Sequence, residues 1–422
     1  MKAMTKPKKM PKLRLAPRLG LFVLFSCLLA PLSQLGSLRP AAAEESIPSS
    51  LLKKSPPWQR SMQELYVTLV DIMTDVTSEK RFNHPSSKAR IDRNAKKLAT
   101  LAHDINEKKM TAPDSDPTLK LVSGLFKDQA DQAYSALKAG QRPYARSILS
   151  NISSYCIACH TRNGSGPSFK NLPLIPSSTD LTPFEMGAFY AATRQNDQAL
   201  ATYRKLIGDP NSLSRATFEW ERSLKSALAI TVRVKNDPEL TLSLVNQVLG
   251  SKNAPYFILQ DALQWKKSVE NWKSELPHHA TSEEGLFAEA RKLFAGAHEM
   301  QKYPADHSAD IDYLRASAVL HELLQKYPLG SHVNEALLLL GASYEVLDPV
   351  HLYNLHEIYY QTCVKRAPHT PVAETCYKRY EESVYLGYTG SAGTSIPHSV
   401  QEQLKALREL AVSPVQVEPG LK

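Results

Sequence analysis

Residues 57–155 carry four consecutive stretches in which apolar side chains return every three or four positions, the period that lets a helix bury one face. The first holds Met62, Leu65, Leu69, Ile72, Met73 and Val76, and the second Ile91, Ala95, Leu98, Ala102 and Ile105. The third opens after Asp116-Pro117 with Leu119, Val122, Phe126, Ala130, Ala133 and Leu137, and Gly140 stops it. The fourth runs from Pro143 through Ile148, Ile152 and Tyr155. The connections, such as Phe82 to Ser87 and Met110 to Asp116, are short and polar or Pro-containing, which favours antiparallel neighbours. Four helices in up-down-up-down order are the parts of a bundle.

The fourth stretch ends in Cys156-Ile157-Ala158-Cys159-His160, a C-x-x-C-H pattern that points to covalent attachment of a c-type haem. Thiols three residues apart lie on one face of a helical turn, where each can add to one vinyl group of a porphyrin. The adjacent His160 then reaches the iron. A redox dithiol of the thioredoxin kind would instead open a helix beside a strand. Here the pair closes a long helical pattern and no β-α-β signal surrounds it. One haem c is therefore the expected cofactor.

Four helices of this length, with C-x-x-C-H at the end of the last, resemble the class II c-type cytochromes, meaning cytochrome c-prime and its low-spin relatives. The resemblance covers about residues 57–162; ordinary class I cytochromes c carry the motif near the start of the domain instead. It implies haem inside one end of the bundle, with Cys156 and Cys159 as thioether anchors and His160 as proximal ligand. Low-spin members place a Met ligand near the start of the first helix, and Met62-x-x-Leu65-x-x-x-Leu69 is similar. Antiparallel packing would bring Met62 beside the end of the fourth helix. Met62 as core filler with an open sixth site, and His103 on the second helix, are the other possibilities. Ligation by Met62 suits one-electron transfer, whereas an open face suits binding of nitric oxide or carbon monoxide by a sensor. Arg60 and Arg162 are candidate partners for the haem propionates, or else solvated surface charges.

The formal charge of +9 invites a nucleic-acid reading, but residues 1–43 hold eight of the 51 basic residues and no acid. The remaining 43 Lys and Arg face 42 Asp and Glu, which removes the case for a nucleic-acid partner. Residues 1–43 have the layout of a secretory signal: a basic start, an apolar run from Leu19 to Leu32, and Ala41-Ala42-Ala43 before Glu44. That run is short of the roughly 20 residues a membrane-spanning helix needs. The expectation is a periplasmic protein with no membrane span after cleavage near Ala43. Cys27 is a poor lipidation site because Phe25 stands beside Ser26.

From Thr161 to Pro183 the composition turns to Gly, Ser and Pro, which reads as a linker over about residues 163–183. Helical periods then recur to about Leu410, so the expected fold is all-α: a four-helix-bundle haem domain followed by a tetratricopeptide-like α-solenoid over residues 184–411, with residues 412–422 as a tail. Gly187, Tyr190, Ala199, Tyr203 and Pro210 take the small, aromatic and Pro places of such a repeat. Further matches lie at Tyr327-Pro328, Ala336, Leu340, Gly341 and Tyr344, and at Pro368, Cys376 and Tyr380. The repeats are degenerate, and a generic helical bundle is the alternative. Cys363 and Cys376 flank the turn Arg366–Pro371, placing them within reach of a disulfide between two antiparallel helices, with two buried thiols as the alternative. His278, His279, His351 and His356 show no zinc-type spacing and are expected in solvated or capping positions. No phosphate loop, nucleophile elbow or metalloprotease motif is present, and nothing beyond the haem argues for peroxidase chemistry. The expected partner is a redox protein, met through the helical repeats.

Overall fold

Four of the five longer helices of the first half begin at or beside a proline. The five are α1 (Pro57–Val76), α2 (Pro85–Lys108), α3 (Pro117–Lys138), α4 (Arg142–Asn151) and α5 (Ser153–His160). Asp116 caps α3 by accepting the Thr118 amide at 2.9 Å, and Pro117 takes the first turn, where its missing N–H costs nothing. Gly140 reverses the chain after α3 with a φ of 75°, a conformation only glycine adopts freely. The computed structural model describes residues 57–76, 79–108, 116–162, 181–275, 280–347 and 355–412. The leader, residues 163–180 of the linker, His278, His279, His351 and the tail after Val412 lie outside the described residues.

α1 packs on α2, α2 on α3, α3 on α4, and α4 back on α1. The apolar stripes supply this core: Leu65, Leu69, Ile72, Met73 and Val76 of α1 are buried with Ile91, Ala95, Leu98, Ala102 and Ile105 of α2. The fourth stretch, read as one helix, is two. The amides of Ile152 and Tyr155 bond to carbonyls three residues back, Leu149 and Ile152, each at 3.3 Å, so the turn tightens and α5 departs from α4. Ile152 keeps helical angles (φ −62°, ψ −31°), which is why an unbroken 3.6-residue period conceals the junction. α5 packs on α3 and on the next helix instead of closing the first group.

The second half is also helical: α6 (Pro183–Ala192), α7 (Asn196–Gly208), α8 (Thr217–Ala229), α9 (Pro238–Leu249), α10 (Tyr256–Ser274), α11 (Glu283–Met300), α12 (Asp310–Lys326), α13 (Val333–Leu347), α14 (Leu355–Arg366), α15 (Pro371–Gly387) and α16 (His398–Ala411). α8 ends in a π-helical turn, Ile230–Val234, and the only strands among the described residues are a two-residue pair, Thr389–Gly390 with Gly393–Thr394. The chain is thus all-α. Helices pack chiefly on sequence neighbours, α6 with α7, α7 with α8, α9 with α10, and each of α11 to α15 with its successor. No helix among the described residues is long and apolar enough to cross a membrane.

Two close approaches recur. A Cβ at Gly187 of α6 would overlap the ring of Tyr203 on α7, and a Cβ at Gly341 of α13 would overlap the ring of Tyr360 on α14. Both rings are buried, so neither has room to retreat. Between α14 and α15, Cys363 and Cys376 form a disulfide inside the core (S–S 2.04 Å). The turn between these helices holds His369 at a φ of 60°, and its ring donates to the Val412 carbonyl at 2.8 Å. His356 departs from the solvated position expected of it. It is buried, and its Nε2 meets Ser383 Oγ at 2.7 Å.

Gly341→Ala is expected to cost about 1–3 kcal/mol by overpacking, seen as a lower urea midpoint with an unchanged slope. Thiol labelling of denatured, unreduced protein should leave Cys363 and Cys376 unmodified. Replacing both by Ala should destabilise the chain by about 3 kcal/mol, from the entropy of the loop they close.

Candidate functional site

α5 has two faces with different neighbours. Ile157 and Ala158 are buried in the apolar cluster of the second half, together with Val122 of α3. Tyr155, Cys156, Cys159 and His160, spaced as one side of a helix, line an apolar cavity. Its other walls are Met62, Leu65, Tyr66 and Leu69 of α1, Ile105 of α2, Val122, Ser123 and Phe126 of α3, and Ala192 and Thr193 at the end of α6. Met62, half-buried, therefore shares one cavity with Cys156, Cys159 and His160. The lining is mostly apolar, with Phe126 and Tyr155 ring centroids 6.4 Å apart.

His160 is oriented from outside its own helix. Its Nδ1 lies 2.5 Å from the carbonyl oxygen of Ala192. A carbonyl only accepts, so Nδ1 carries the proton and the ring lone pair sits on Nε2. The carbonyl is available because α6 ends there. Thr193, Arg194 and Gln195 donate their amides to Phe189, Ala191 and Tyr190, leaving Ala192 outside that set. Arg194 makes the turn with a φ of 58°. Burial, then the nearby Arg194 charge, lowers the His160 pKa to about 4, so the ring is neutral at physiological pH. Burial pushes the Cys156 thiol up to about 12 and raises Cys159 as well. A redox dithiol needs the opposite shift.

The remaining sequence candidates fall elsewhere. Arg162 is neither on the cavity wall nor a solvated charge. It is buried, with Nη1 donating to Asp116 Oδ2 at 2.6 Å and to Thr118 Oγ1 at 2.7 Å. Asp116 thus caps α3 and pins the chain just after His160. Arg60 is exposed and does not line the cavity. His103 pairs with Asp131 of α3 at 2.9 Å on the outer side of α2 and is no part of the cavity. Two contributors were not singled out from the sequence. Tyr66 stands one turn after Met62 on the same face, a placement the helical period does predict. Ala192 acts through a backbone carbonyl, which no side-chain pattern signals.

The donor set fits a covalent haem: two thiols on one helix turn, an imidazole whose Nδ1–H is taken by a carbonyl as in ligating histidines, and a thioether across an apolar cavity. No family model matches the chain, and neither do the curated proteins or the solved structures compared with it.

Asp116→Asn should strand the Arg162 guanidinium and cost about 3–5 kcal/mol, read from the denaturation midpoint. The double change Asp116→Leu with Arg162→Met removes both charges and should cost much less.

Proposed function

We propose that this chain is an exported monohaem c-type cytochrome that transfers electrons and docks a partner protein through its helical second half. One observation carries the reading: Cys156, Cys159, His160 and Met62 open on a single apolar cavity, with the imidazole already oriented. Cys156 and Cys159 would anchor the haem, and His160 Nε2 and Met62 Sδ would hold its iron. Bound haem supplies a site that takes up and gives back one electron. The chain's own part is to hold the imidazole through Ala192, to pin the end of α5 through Arg162 and Asp116, and to surround the site with Leu65, Leu69, Ile105, Val122 and Phe126. An apolar wall of this kind excludes water and favours the reduced, less charged iron.

The first half is read as a class II cytochrome bundle, and the second as a tetratricopeptide-like solenoid. The glycine-on-tyrosine contacts at Gly187 and Gly341 and the neighbour-on-neighbour packing support the latter. Repeats of this kind display an extended surface, which suits a docking role.

Protein made in cells competent for cytochrome maturation should be coloured, carry the mass of one haem, and give a low-spin six-coordinate spectrum when reduced. Met62→Ala should convert it to high spin. A wild-type spectrum that is high spin and shifts with carbon monoxide would favour the gas-binding sensor instead, and a colourless protein of bare polypeptide mass would overturn the haem reading.

A further inference from the structure

Where Thr161 and Arg162 leave α5 they meet a buried polar cluster contributed by the π-helical turn, α12, α13 and α14. Arg233, on the π turn, is 4% exposed. Its Nη1 donates to the hydroxyl of Tyr344 and its Nη2 to Thr161 Oγ1 at 3.3 Å, so neither partner is an anion. Arg162 has Asp116. The cluster therefore sets two guanidinium charges against one carboxylate, in a place where an uncompensated charge is costly.

Four buried side-chain atoms here have no hydrogen-bond partner: Arg162 Nη2, Arg233 Nε, Tyr359 Oη and His321 Nδ1. They belong to one group. The Arg162 guanidinium lies 6.0 Å from the centre of the Tyr359 ring, that of Arg233 lies 5.6 Å from the Tyr344 ring, and the two tyrosines stack at 5.2 Å. The His321 ring is 5.9 Å from each tyrosine. Their protonation follows from the geometry. Tyr344 Oη accepts from Arg233, so its own proton goes to His321 Nε2, 2.9 Å away. An imidazole that accepts at Nε2 carries its proton at Nδ1. All four atoms can donate, and Tyr359, whose pKa burial raises, keeps its proton. Four donors without an acceptor, beside one excess positive charge, call for an acceptor with negative charge; a water molecule would leave the charge unbalanced.

We propose that Arg162, Arg233, His321 and Tyr359 form a buried binding site for one small monovalent anion. Two sources share that chemistry: a free ion such as chloride or nitrite, or a carboxylate of the proposed haem. The free-ion source does not depend on the haem, so a colourless protein would overturn the proposed function and leave this test standing.

The test uses the full mature chain as purified. Thermal unfolding is followed while chloride or nitrite replaces sulfate at fixed ionic strength, and the propionate bending band is recorded by resonance Raman. A free ion is expected to raise the melting temperature saturably by about 2 °C or more, and Arg233→Met should raise the half-saturating concentration about tenfold or more. A haem carboxylate is expected to give no anion dependence but a bending band that shifts in Arg233→Met. Tyr359→Phe, which removes one donor and keeps the ring, should weaken whichever effect is seen and serves if Arg233→Met does not fold. An anion-independent melting temperature together with an unmoved Raman band would overturn the proposal.

Discussion

The hydrogen bond from His160 Nδ1 to the Ala192 carbonyl ties the candidate site to a helix that begins more than twenty residues after the cysteine motif. It decides which ring nitrogen carries the proton, and so which one faces a ligand. α5 is held from both sides. Its apolar residues Ile157 and Ala158 are buried with the second half, while Cys156, Cys159 and His160 line a cavity walled by α1, α3 and α6. Arg162 and Asp116 then close the far end of the helix against the start of α3. The cavity is a joint product of residues 57–162 and α6, and neither part has all of its walls.

Helical periodicity is enough to find the apolar faces of α1, α2 and α3, because each repeats without interruption and each helix opens on a proline. The same reasoning put Met62 near His160: antiparallel neighbours bring the start of one helix beside the end of another. It could not find the junction at Ile152, where the chain stays helical and only the hydrogen-bond register tightens. The burial of Arg162 is hidden for a related reason. A lone arginine after a helix end looks like surface, and its carboxylate partner lies 46 residues away. His356 shows that a histidine with no metal-type spacing can still be interior, its Nε2 held by a serine on the next helix.

The second half hides more polarity than its apolar pattern suggests. Gly187 and Gly341 stand out in sequence as small residues, but their partners, the rings of Tyr203 and Tyr360, are set by how one helix lies on the next. Arg233 belongs to no motif at all. It reaches the interior from a π-helical turn, where Lys235 bonds back five residues to Ile230 and the wider turn reorients the side chains that follow. The two interiors accordingly differ in character: an apolar hollow with aromatic walls on one side of α5, and a cluster rich in proton donors at its exit.

The position of Ala192 and Thr193 on the cavity wall also sets an order of events during biogenesis. Cys156 and Cys159 precede α6 in the chain, and once α6 has docked they share one cavity with residues from both sides of the motif. On the proposed reading, the enzymes that join porphyrin to these sulfurs must therefore act on a nascent, still open polypeptide, and the downstream helices act as the latch that seals the finished product.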